Sequence, residues 1–160
     1  MMYRDGFRHK DLLLLSNLRR NARATLTDLS AITKVPISTV HDRLKSQRVI
    51  RRHTCILDFS ALGFTTLATI FLRVRKEDKD GLSAFLLQDF HVNSLFKVNS
   101  GYDLMMEGVF RNIKELEDFV ERLEDGYRIR SKQVFYIIEE LVRERFLGDD
   151  ASVERLTKTL

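Results

Sequence analysis

The chain has 160 residues, of which 44% are apolar and 31% charged, and a formal net charge of +4. That is core material for one domain or two small ones. No apolar run reaches the length of a membrane span, and Cys55, the only cysteine, leaves no internal disulfide to form. The charge is uneven. Residues 1–64 hold 12 Lys and Arg against 5 Asp and Glu, whereas the remainder is net −3, so only the first part suits a polyanionic partner. The opening M-M-Y-R-D-G-F-R-H-K lacks a signal-peptide apolar core, and a reducing cytoplasm is the expected compartment.

The first expected element is a helix over Lys10–Arg20, with Leu12, Leu15 and Leu18 at helical spacing. Arg19, Arg20 and Arg23 at its end suit phosphate or the helix C-terminus. The stretch Thr25–Leu44 then reads as two short helices joined by a tight turn. Thr25 and Asp28 have capping-box spacing. Leu29 and Ile32 share a face. Lys34 and Val35 form the turn, and Pro36, the only proline, suits a first helical turn. Ile37, Val40 and Leu44 make an apolar stripe, with Ser38, Thr39, His41, Asp42 and Lys45 off it, and Arg43 on the same helix. This is the layout of a helix-turn-helix, whose second helix enters the DNA major groove. A buried two-helix hairpin has the same periodicity.

Val49–Phe59 looks extended, and Arg48, Arg51, Arg52 and His53 gather there, as in a wing touching the DNA backbone or a plain basic linker. Beyond Gly63 the character changes. Strands are expected over Phe64–Val74, Val92–Val98, Tyr102–Phe110 and Ser131–Ile138. Helices are expected over Asp80–Phe90 and from Asn112 to Gly126. The order strand, helix, strand, strand, helix, strand is the ferredoxin-like βαββαβ arrangement. The fold class is therefore α+β. The run Val134–Ile138 is apolar on both sides, which calls for a covering surface and so for a homodimer. In residues 147–160, Val153, Leu156 and Leu160 permit a short amphipathic helix or a frayed tail.

Little points to catalysis. His9, His41, His53 and His91 lack metal-ligand spacing, there is no phosphate-binding glycine loop, and Cys55 lies in an apolar run. No cofactor or metal is expected. RNA binding by the open sheet would want aromatics interleaved with basic residues, and this half is net acidic. An oligomerising ligand sensor without DNA binding is the other class of reading; the basic first part argues against it.

The motifs L-S-A-I-T-K-V-P-I-S-T-V-H-D-R-L, V-I-R-R-H-T-C-I-L-D-F-S-A-L-G-F and the Y-D-L of Tyr102–Leu104, in this order, resemble the Lrp/AsnC family of bacterial and archaeal transcription regulators. The resemblance implies a helix-turn-helix domain over 1–50, a wing or linker over 51–63, a ligand-binding and dimerisation domain over 64–146, and a tail over 147–160. It implies double-stranded DNA as partner, with Ser38, Thr39, His41, Asp42, Arg43 and Lys45 on the DNA-reading helix and Arg51 and Arg52 on the wing. It also implies dimers, often higher assemblies, and an amino-acid effector at Asn99, Ser100, Gly101, Tyr102 and Asp103, with Asp103 meeting its ammonium group. Three features depart from the family, one being the stretch from Arg43 to Val49, shorter than usual by about one helical turn. Lys34 stands where the turn usually has glycine, and Gly101 directly precedes Tyr102 where the family's glycine lies one residue earlier.

Overall fold

The computed structural model describes residues 8–46 and 49–159. Arg48 and Leu160, named above, lie outside the described residues. The chain forms two compact units. The first comprises the described residues up to Ile56 together with those from Leu141 onward; the second is Leu57–Glu140.

The first unit contains α1 (His9–Arg20), α2 (Leu26–Thr33) and α3 (Ile37–Ser46). Thr25 caps α2: its hydroxyl accepts the N–H of Asp28, and the Asp28 carboxylate accepts the N–H of Thr25 in return. Leu14 of α1, Leu29 of α2, Val35 and Val40 of α3 are all buried and form one cluster. The opposite side of α1 presents Leu12 and Leu15, which pack on Leu147 and Val153. Of the two alternatives for the C-terminal residues, the amphipathic helix is the one formed. They form a helix at Asp150–Thr159 that joins the first unit, because α1 carries leucines on two sides and needs a second cover. The compact units divide at Ile56/Leu57 and Glu140/Leu141.

The second unit is a four-stranded antiparallel sheet. Strands β1 (Thr66–Val74), β2 (Val92–Lys97), β3 (Leu104–Phe110) and β4 (Ile129–Tyr136) lie in the order β2-β3-β1-β4. Between them run α4 (Lys79–Gln88) and α5 (Ile113–Gly126), and the C-terminal helix completes the series as α6. This is the expected βαββαβ order. Asn112 caps α5 by accepting the N–H of Glu115.

Alternate residues of β1 and β3 point at the two helices. Ile70, Leu72, Met106 and Phe110 meet Leu82 and Leu86 of α4 and Leu116, Phe119 and Leu123 of α5 in one core. Gly108 is required there. A Cβ on it would lie 2.6 Å from Cε2 of the buried Phe110 ring. The opposite face carries no helix of its own unit. The register places Phe71 beside Met105 and Gln133 on it, and Thr69 beside Glu107 and Phe135. Phe71 touches Tyr102 and meets Phe135 edge to face, with ring centres 5.9 Å apart. Phe135 is half exposed, and beyond β4 Ile138 is 99% exposed, so the apolar character read in this strand faces outward.

Candidate nucleic-acid interface

The turn between α2 and α3 is tight because Lys34 adopts the left-handed conformation, φ 52° and ψ 44°, where glycine is the usual residue. Hydrogen bonds hold it there. The Lys34 carbonyl accepts Lys10 Nζ at 3.2 Å, and the Ser30 hydroxyl donates to the Val35 carbonyl at 2.6 Å. Pro36 sits just ahead of α3, and its carbonyl accepts the N–H of Val40. The first turn of the helix follows at once with its side chains outward.

Val40 is wholly buried, which fixes the face α3 turns inward. Ser38, His41, Asp42 and Lys45 are exposed and Thr39 is half-buried. His41 Nδ1 lies 3.2 Å from Asp42 Oδ1. Arg43 behaves differently from the expectation of a free cation. Its Nη1 donates to Asp11 Oδ1 of α1 at 2.7 Å, with both side chains mostly shielded. The basic end of α1 is engaged too. Arg19 pairs with Glu144 at 2.6 Å, and Arg20 lies 3.6 Å from Asp150. The sequence hides these partners because they lie more than a hundred residues away.

Arg51 and Arg52 are exposed, as a phosphate-facing segment requires. No strand occurs between Ser46 and Thr66 among the described residues. The run Arg51–Thr54 is polar throughout and has no alternation with which to bury one face.

In the second unit the turn Asn99–Asp103 is strained in a particular way. Ser100 and Gly101 both have positive φ, 63° and 100°. Asn99, Ser100 and Gly101 are exposed, and Tyr102 is half-buried against Phe71. Asp103 points inward. Its Oδ1 is 2.6 Å from Nζ of Lys79, and its Oδ2 accepts the N–H of Val74 at 3.0 Å. The hydrogen bond from Lys79 holds its carboxyl below the usual carboxylate range. An ammonium group already occupies the carboxylate that sequence reasoning offered to a ligand. Lys79 opens α4, far from the motif in sequence, and nothing in the motif announces it.

Residues 7–46 match the family model described as a winged helix-turn-helix DNA-binding domain. The chain is 28% identical over 114 residues to the HTH-type transcriptional regulator FL11 of Pyrococcus abyssi, covering 69% of this chain and 76% of that one. A solved transcriptional regulator of Neisseria meningitidis in complex with L-Met superposes with a TM-score of 0.80 at 20% identity, over 86% of this chain and 93% of that one. Escherichia coli AsnC does so with 0.76 at 18% identity, over 86% and 95%. Residues 7–46 thus match a DNA-binding type of helix-turn-helix, and the chain is similar to HTH-type transcriptional regulators. The fold is that of the solved AsnC and leucine-responsive proteins.

Proposed function

We propose that the chain binds operator DNA as a homodimer, each copy laying α3 in the major groove. The observation that carries this reading is the division of α3. Its inward face is sealed by Val40, and Ser38, Thr39, His41, Asp42 and Lys45 are left toward the outside at its start and along one side. Short hydroxyls and an imidazole near a helix start suit base edges, while Lys45, Arg51 and Arg52 suit phosphates. The pairing surface in this reading is the helix-free face of the sheet, where Phe71 and Phe135 are partly in water. Two copies would then read half-sites about one helical turn, or a multiple, apart. The relatives named above are regulators, and we read this chain likewise as a binding protein of the cytoplasm with no catalytic role.

An amino-acid-like effector at the Asn99–Asp103 turn is part of the proposal. The relative solved with L-Met supports it, as do the exposed Asn99, Ser100 and Gly101. With Asp103 engaged by Lys79, the turn offers backbone N–H groups and hydroxyls to a carboxylate more readily than an anion to an amine. Gel-shift titration on the DNA upstream of its own gene tests the main reading. Sequence-selective retardation is expected, and equal binding to a scrambled duplex overturns it. A thermal-shift screen of the twenty amino acids tests the effector, and no stabilisation by any of them overturns that part.

A further inference from the structure

Asp11 is the third residue of α1, and its carboxylate is used twice. Oδ2 accepts the backbone N–H of Arg8 at 3.1 Å and closes the start of the helix. Oδ1 accepts Arg43 Nη1 from the far half of α3 at 2.7 Å. The side chains are 17% and 25% exposed, so water screens this pair less than a surface one. The neighbouring residue, Lys10, holds the carbonyl of the left-handed Lys34. Two successive residues of α1 thus grip the turn before α3 and the helix itself. α3 is also seated on the apolar cluster around Val40. Apolar contact is non-directional, and a helix seated on it alone is free to roll. A charge-assisted hydrogen bond has direction and removes that freedom.

We propose that Asp11 and Arg43 form a clamp that sets the rotation of α3, and that Arg43 serves recognition by positioning the helix rather than by charging a phosphate. The inference rests on α3 being the DNA-reading helix. Lys45, exposed and without a carboxylate partner among the described residues, is the cation of that helix left for phosphate.

The test uses the full chain, a duplex it selects from a randomised pool, and a scrambled duplex of the same composition. Affinities are measured across a salt series for Asp11→Asn, Arg43→Met and the double variant. Each single variant should lower the selected-to-scrambled ratio about tenfold, the equivalent of one base contact's discrimination. The double variant should be no worse than either, and the salt slopes should match the native protein. Asp11→Glu, which keeps the carboxylate, should recover part of the ratio.

The clamp is overturned if Arg43→Met weakens both duplexes alike and makes the slope shallower by roughly 0.9. It is overturned equally if Asp11→Asn tightens both, or if neither variant changes the ratio. Should the variants fail to fold, solvent exchange of the Arg43 guanidinium protons in the native protein decides. Protection present before DNA is added supports the clamp, and protection gained only with DNA overturns it. A native protein that selects no sequence overturns instead the reading of α3, and this is seen before any variant is made.

Discussion

Thr25 and Asp28 are joined by three hydrogen bonds at the start of α2, so Thr25→Ala should cost the helix-turn-helix unit about 1 kcal/mol, read as a shift in its denaturant midpoint. His41 and Lys45 are exposed on the same helix but are expected to act differently. His41→Ala should lower affinity for a selected site by about 1–3 kcal/mol and spare a scrambled one, whereas Lys45→Ala should weaken both alike. Fluorescence anisotropy on the two duplexes separates these outcomes. Asp103, Asp78 and Glu115 are held below the usual carboxylate range, chiefly by hydrogen bonds from Lys79, from Arg128 and from the Arg111 backbone N–H respectively. Such groups release protons more readily folded than unfolded. The stability they add is complete above the unfolded carboxylate value and is lost as the pH falls through their lowered values. Thermal melting should therefore be level down to about pH 5 and decline below it. Asp103→Asn should make that decline shallower.

At the scale of elements, α6 carries the most telling contact. Leu147 and Val153 are buried against Leu12 and Leu15 of α1. Leu147→Ala should cost the first unit about 2–5 kcal/mol, monitored by unfolding of α1–α3 and by lost DNA affinity. The four strands and two α-helices of the second unit were legible in the sequence because local patterning dictates each of them, whereas the short 3-10 turns Ser60–Leu62 and Lys76–Asp78 were not. The alternation at Ile70 and Leu72 and the cap at Asn112 are examples. The helix-turn-helix was legible for the same reason, down to the capping box at Thr25 and the turn at Lys34. What the sequence hid was pairing at a distance. The letters of Arg43 and Asp103 suggested free charges. Both are spoken for by Asp11 and Lys79, and only the folded chain brings those partners near. The role of the C-terminal helix was hidden likewise, since Val153 and Leu156 state that a face is apolar but not what it covers.

At the scale of the molecule, charge and apolar surface are sorted. The net positive charge lies in the first 64 positions, the remainder being net negative, so DNA affinity should fall steeply with salt, with a log–log slope of roughly −0.9 per phosphate contact. The helix-free sheet face carries Phe71 and Phe135. Phe135→Asp should convert a dimer into a monomer in light scattering and weaken DNA binding through loss of the second α3. A dimer that survives this change would place the pairing surface elsewhere.

The first unit is assembled from stretches on either side of the continuous Leu57–Glu140. On a ribosome the α1 leucines emerge before the sheet, yet Leu147 and Val153, which cover them, arrive only after it. The sheet is complete in the nascent chain before the DNA-reading part has its full core, an inversion of the usual N-terminal-first order. On the proposed pairing surface, a product ended at Glu140 by a nonsense codon would still offer its sheet to an intact copy. One helix-turn-helix of the pair would lack its Leu147 and Val153 cover, so such a truncated allele should be dominant over the normal one.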